Sequence, residues 1–318
     1  MAITVVGSIA YDSVKTPFGE RERMLGGAAV HFALAASFFE DVRVVGPVGE
    51  DFGEEQLGVL RRRGVDVSDV ERVAGGKTFF WRGEYGWDLN SRATLDTQLG
   101  VFEGFQPKLS AASRASDVLF LANIQPELQL DVRGQLPDAR FVALDSMNMW
   151  IEVAPDALRS AIESVDCVIL NDAELRQLTA KPNLVAAARE LLGWRPPGGG
   201  AGPSVIVAKQ GEYGSALVTS EGFFALPAYP LESVVDPTGA GDTFAGGFVG
   251  YIAAHRDQEL GDELLRRAMA HATVLASFNV EEFGTERMER LTGGEIVARI
   301  NELQAMTQFS GTPPRLRR

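Results

Sequence analysis

The chain has 318 residues, 45% of them hydrophobic and 23% charged, the make-up of a folded globular protein and not of a disordered or fibrous one. Its formal net charge of −13 speaks against a nucleic-acid partner, which needs a basic face, but leaves phosphorylated small ligands open, because backbone amides hold phosphate without Lys or Arg. The single cysteine, Cys167 in the apolar run "DCVILN", argues against an internal disulfide or a multi-cysteine zinc site and reads as a buried, inert thiol.

The start, "MAITVVGSIA", shows neither a basic leader nor a long apolar stretch, so no signal peptide is expected. No run nears the roughly 20 apolar residues of a membrane span. A cytoplasmic protein with no membrane partner is the expectation. "AITVVGSIAYDSV" begins as a buried strand ending at Gly7, and "GGAAVHFALAASFF" (26–39) follows as a helix opened by two glycines. "VRVVGPVGED" and "EEQLGVLRRRGV" repeat strand and helix, with Gly64 as the stop. This βαβα rhythm predicts a parallel sheet covered on both faces.

Between about 73 and 103 the rhythm breaks. "KTFFWRGEYGWDLNSRATLDTQLGVF" alternates apolar and polar residues, which predicts antiparallel strands of a smaller sheet, with "YDSVKTPFGERERML" (11–25) as a partner hairpin. The main rhythm then resumes with strands "DVLFLANI", "RFVALDSM", "CVILND" and "SVIVAKQ", separated by helices such as 155–164, 172–179 and 184–193. "RPPGGGAGP" (195–203) is a surface loop, and the tail 310–318 is expected to be flexible. "GGKT" (75–78) resembles the end of a phosphate loop, but Glu71 stands where that motif needs its first glycine and no helix follows. "GPVGEDFG" (46–53) does not fit dinucleotide-binding spacing and reads as a turn into a helix.

The most informative stretch is "DPTGAGDTFAGGF" (236–248), a glycine-rich turn opening an apolar helix. Helix starts carry unpaired N–H groups and partial positive charge, so such a turn is an anion site. Asp242 there is either a helix cap, worth about 1 kcal/mol, or an acid placed to take a proton from an attacking hydroxyl. The glycines favour the second reading, because a cap needs none before it. Gly246 and Gly250, four apart, suit close helix packing.

This stretch resembles the C-terminal signature of the ribokinase-like carbohydrate kinases, the PfkB family, which move the γ-phosphate of ATP to a hydroxymethyl of a sugar or nucleoside. "GGAAVHFALAA" resembles that family's N-terminal Gly-Gly signature, "GSIAYD" its first-strand sugar-binding turn, "NDAE" (171–174) its Asn-x-x-Glu, and "KQGEYG" (209–214) its nucleotide-binding loop. Together they span most of residues 3 to 285. The resemblance implies an α/β fold over 1–318: one kinase domain with a central mostly parallel sheet, helices on both faces, and a small β-sheet lid from about 11–25 and 73–103.

Carried over by resemblance, Asp242 is the catalytic base and the amides of Gly239, Ala240 and Gly241 form the anion hole. Asn171 and Glu174 organise Mg²⁺, largely through water, although Asn-x-x-Glu also fits a helix-capping box. Lys209, Gly211, Gly214 and Asn279 fall on the ATP side. Asp12 grips two sugar hydroxyls, with Gly26 and Gly27 letting substrate approach the backbone. Two departures mark the acceptor pocket as non-standard for ribose: His31 stands where many members have Asn, and Ala10 where ribokinases proper tend to have it. His31 is read as a substrate contact or a satisfied helix histidine. Phe80, Trp81, Tyr85 and Trp87 stack on a sugar or base, fill the lid's own core, or form a homodimer surface. Asp236 and Thr238 lie where some relatives bind a monovalent cation, K⁺, through backbone carbonyls and an Asp. The expected reaction is ATP-dependent phosphorylation of a small molecule, a furanose-type sugar first and a nucleoside such as adenosine second. A catalytically silent sugar-binding regulator is the rival, and the joint presence of Asp242, the glycines, Asn171 and Glu174 argues against it.

Overall fold

The computed structural model describes residues 2–255 and 257–308, so the tail expected to be flexible lies outside it. In these residues the strands run β1 (Ala2–Val6), β2 (Ala10–Thr16), β3 (Gly19–Gly26), β4 (Asp41–Val48), β5 (Val70–Arg72), β6 (Phe79–Tyr85), β7 (Arg92–Gln98), β8 (Val118–Leu121), β9 (Phe141–Asp145), β10 (Cys167–Asn171), β11 (Val205–Lys209), β12 (Ser215–Val218) and β13 (Phe223–Leu226). Nine form one sheet in the order β13-β12-β11-β10-β9-β8-β1-β4-β5. Pairing is parallel from β5 to β11 and antiparallel only at the β11-β12-β13 edge.

Strands buried on both faces read as apolar runs, and their alternate side chains serve two different cores. Ile3, Val5, Phe120, Ile169 and Val207 point into one core, shared with helices Ala28–Ala36, Ala240–Ala254 and Asp262–Asn279. Val6, Leu119, Leu121, Val168 and Ile206 point into the other, under helices Pro126–Gln135, Pro155–Glu163, Asp172–Thr179 and Leu184–Leu192. Helix Ala240–Ala254 sits deep in the first layer because a Cβ on Gly246 would come within 2.3 Å of the Phe32 carbonyl oxygen. Cys167 is buried, and burial pushes its thiol pKa well up, as expected of an inert core cysteine. No helix in the described residues is long and apolar enough to cross a membrane.

The smaller sheet has the order β3-β2-β6-β7. Both expected hairpins are present and antiparallel, but β2 pairs with β6 in parallel, which corrects the all-antiparallel reading. The chain passes through helix Ala28–Ala36, β4 and β5 before returning at β6, and such a crossover brings a strand back in the same direction. "GGKT" is followed by β6 and not by a helix, as its rejection as a phosphate loop requires.

Candidate active site

The parallel strands end in polar residues: β9 at Asp145, β10 at Asn171 and β11 at Lys209, while β1 exits through Gly7 toward Asp12 on β2. Carboxyl ends of an open parallel sheet are where such folds place ligands. The segment 236–239 meets them and opens helix Ala240–Ala254. Its N-cap is Gly239, held at φ +74° without a side-chain capping bond, so Asp242 sits inside the first turn and is not the cap.

The expected anion hole is smaller than the resemblance implied. The Ala240 amide donates to the Pro237 carbonyl at 3.2 Å and is already committed. The N–H groups of Gly239 and Gly241 have no protein acceptor among the described residues and remain for an anion. Lys209 supplies charge beside them, because a Cβ on Gly241 would lie 3.0 Å from its Nζ. That ammonium is paired at 3.0 Å with Asp145, which sequence reasoning did not single out.

Burial and crowding set the protonation of this cluster. Burial, then the charge of Asp145, pushes the pKa of Asp242 up to about 7, with Lys209 and Arg92 pulling the other way. Burial and Asp145 likewise raise Glu174 to about 7, against Lys209 and Arg92. Asp12 rises to about 7 through burial, Asp236 and Asp242, opposed by the Gly27 amide and Arg92. Burial alone would lower Lys209, but Asp145, Glu174 and Asp242 more than offset it and its pKa is raised. A carboxylate poised near neutral pH suits a general base.

Asp12 is 7% exposed, and its Oδ2 occupies the space a Cβ on Gly26 would need, 2.0 Å away. The Gly27 amide pulls the pKa of that carboxylate down, and Gly26 leaves the room that Asp12 fills. Asp12 and Trp81 are register partners in the parallel β2-β6 pair, which places both side chains on one face of the small sheet. The indole lies along its strand over Gly83, where a Cβ would fall 2.1 Å from Cη2, and its Nε1 donates to Thr94 Oγ1 at 3.3 Å. Tyr85 is buried and its hydroxyl meets Thr238 Oγ1 at 3.1 Å, tying the small sheet to the turn before Gly239. At the tip of the β6-β7 hairpin Asn90 Nδ2 donates to Glu212 Oε1 at 3.2 Å. The four aromatics therefore divide: Trp81 packs, half-buried, against the cluster of Val14, Tyr85 and Phe283, Tyr85 pins the sheet, Phe80 packs on the main core, and Trp87 is exposed at the outer surface near Phe18.

Several expected contacts change on inspection. His31 is 1% exposed; its ring fills the space under Gly239, where a Cβ would meet it at 2.4 Å, so it supports the turn and does not reach the acceptor. Asn279 is fully buried with its amide engaged inside the protein, which removes it from the nucleotide side. Gly214 turns the chain between β11 and β12, where a Cβ would strike the Leu226 carbonyl oxygen at 2.1 Å, while Gly211 is exposed beside Asn90. Asn171 and Glu174 do form a capping box, with bonds of 2.8 and 2.9 Å. The box uses only Oε2 of Glu174, and its raised pKa signals an oxygen set short of positive charge, so the pair fits a hydrated Mg²⁺.

A helix N-terminus with unpaired amides, a lysine and a near-neutral carboxylate at the carboxyl ends of a parallel sheet is the set of groups that phosphoryl transfer uses. The profile of the pfkB family carbohydrate kinases matches residues 2–290, and the chain belongs to that family. It is therefore a kinase acting on an alcohol group of a sugar or nucleoside. It is 32% identical over 263 residues to a cytidine kinase of Thermococcus kodakarensis, covering 81% of this chain and 90% of that one. The fold matches the nucleoside kinase of Methanocaldococcus jannaschii, an archaeal member of the ribokinase family, at TM-score 0.75 and 20% identity, over 95% and 98% of the two chains. It also matches the Arabidopsis thaliana ribokinase complexed with ribose and ATP, at TM-score 0.73 and 19% identity, over 94% and 99%. The fold is ribokinase-like.

Proposed function

We propose that this kinase transfers the γ-phosphoryl group of ATP to the hydroxymethyl of a ribofuranosyl acceptor, and that the acceptor is a nucleoside before a free sugar. Asp242 carries the reading: a carboxylate with a pKa of about 7 stands beside the free amides of Gly239 and Gly241 and the Lys209 ammonium. It takes the proton of the attacking hydroxyl, while the two amides, Lys209 and the helix terminus stabilise charge on the transferring group. Asn171 and Glu174 would hold Mg²⁺, which would supply charge neutralisation at the ATP phosphates. Asp12 orients the acceptor by accepting from its ring hydroxyls.

The preference for a nucleoside reverses the order expected from the sequence. Its support is Trp81, a fixed aromatic surface on the same face as Asp12, together with the similarity to a cytidine kinase. A free furanose has no planar group to lay on an indole, whereas every base has one.

The test is a screen of nucleosides and free pentoses with Mg·ATP, read by ADP release. A nucleoside is expected to give the highest kcat/KM; a free sugar exceeding every nucleoside overturns the preference but leaves the kinase assignment intact. On the best acceptor, Asp12→Ala is expected to raise acceptor KM by about 10²-fold, the scale of two lost charge-assisted hydrogen bonds, with ATP KM changed little. Equal effects on both KM values would remove Asp12 from the acceptor side.

A further inference from the structure

The segment that precedes Gly239 is the expected seat of a monovalent cation, and the Asp236 carboxylate and the Thr238 carbonyl in it already accept from protein donors. Asp236 is fully buried; its Oδ1 accepts from the Thr238 amide at 2.9 Å and its Oδ2 from the Gly284 amide at 3.0 Å. The Thr238 carbonyl accepts from Asn279 Nδ2 at 2.8 Å. The residues present do not fit the ion.

Asn279 does more than occupy that carbonyl. It closes helix Asp262–Asn279, and its Oδ1 accepts from Thr243 Oγ1 at 3.0 Å and faces His31 Nδ1 at 3.1 Å. Because its NH₂ already donates to Thr238, the oxygen must be the acceptor in both contacts, so His31 donates from Nδ1, and its buried Nε2 has no partner. Burial pushes the pKa of His31 down to about 4, which keeps it neutral at working pH. One side chain thus grips the residue before the Gly239–Asp242 turn and the residue after it, while the His31 ring supports the turn from below.

We infer that Asn279 fixes the anion-hole turn from within the chain, in place of a bound monovalent cation, and that this kinase needs no such ion. A carbonyl converging on an anion site is an electrostatic liability, and either a cation or an N–H donor relieves it. The N–H donor adds direction, because Asn279 is anchored at three points. Asn279 is thus a positioning residue that acts on phosphate through the Gly239 and Gly241 amides.

The inference rests on those amides forming the phosphate site, and it is tested on the full-length enzyme in potassium and in tetramethylammonium chloride at equal ionic strength. The readouts are turnover and the affinity for ADP by calorimetry; the second needs no acceptor, so a wrong acceptor assignment leaves the test intact. Wild-type turnover and ADP affinity are expected to be the same in both salts. A potassium effect of about fivefold or more on either, the low end of genuine coupling between sites, overturns the inference, and a smaller one supports it. Asn279→Asp keeps the shape but turns the donor facing Thr238 into an oxygen. It is expected to lose about tenfold in turnover in tetramethylammonium with acceptor KM unchanged, and to regain most of it in potassium, because two facing oxygens invite a cation. Loss without potassium rescue, or no loss, counts against the role of the amide. If that variant does not fold, the wild-type salt comparison decides alone.

Discussion

Asp242→Asn is expected to lose at least about 10²-fold in turnover, the usual contribution of a general base, and at the same time to make the ligand-free enzyme more heat-stable at pH 8. Both outcomes follow from one fact. Burial and the neighbouring charge of Asp145 hold the carboxylate of Asp242 up to about 7, against 3.8 for an ordinary Asp. In the unfolded chain it ionises near the lower value. Between the two values the folded protein binds more protons than the unfolded one, so stability falls as pH rises through that window. Asp12 and Glu174, also raised to about 7, act in the same direction. The ligand-free enzyme should therefore melt at a higher temperature at pH 5.5 than at pH 8. Asn at 242 carries no charge to destabilise, and a gain of about 1 kcal/mol would move Tm by about 2–4 °C at pH 8. The gain should shrink toward pH 5, where the wild-type carboxyl is protonated. Catalysis responds oppositely: kcat/KM of the wild type should fall as pH drops from 8 to 6. A variant with near-wild-type turnover ends the base assignment, and one that melts lower at pH 8 ends the account of its strain.

Much of this site was legible because sequence motifs fix where residues fall on elements. A glycine-rich turn before an apolar helix marks Asp242 without coordinates, and the family resemblance of "NDAE" and "KQGEYG" marks Asn171 and Lys209. Side-chain direction was not legible. His31 and Asn279 are 248 positions apart and point at each other beneath the turn, where a motif shows only that both are near it. Asp145 was overlooked because "RFVALDSM" reads as a strand ending in one acid, and nothing local says that β9 ends beside Lys209. The fate of the Ala240 amide depends on the fold of one turn, which its letters do not encode. Arg92 was hidden by register. The pairing of β6 with β7 shifts between Arg82 and Gly83, so Arg92 and Thr94 share the cleft face with Tyr85 and Gly83, whereas Trp81 on that face pairs with Thr97. Strict alternation along β7 would have misassigned that face.

Arg92 carries the second large effect. It opens β7 opposite Tyr85 and lies 5.2 Å from the centre of the Trp81 ring. Its charge lowers the pKa of Asp12, Glu174 and Asp242 alike. Lys209 is the other cation in that cluster, and it is tied to Asp145. Among these side chains, therefore, Arg92 brings positive charge from the small sheet, whose hairpin tip is held by the Asn90–Glu212 bond. Arg92→Met keeps the length over Trp81 and removes the charge. It is expected to lower kcat/KM at pH 7 by about tenfold or more, the range seen when a charge-stabilising group is lost from an active site. The pH dependence separates this role from simple packing. Without Arg92 the three carboxyls ionise later, so the acid limb of the rate profile must move to higher pH, and part of the loss must return by pH 8.5. Arg92→Lys should keep the limb near its wild-type position even if positioning suffers. A loss of equal size at every pH would mean that Arg92 only props the indole. An unchanged kcat/KM would mean that the charge carried by the small sheet plays no part in the transfer.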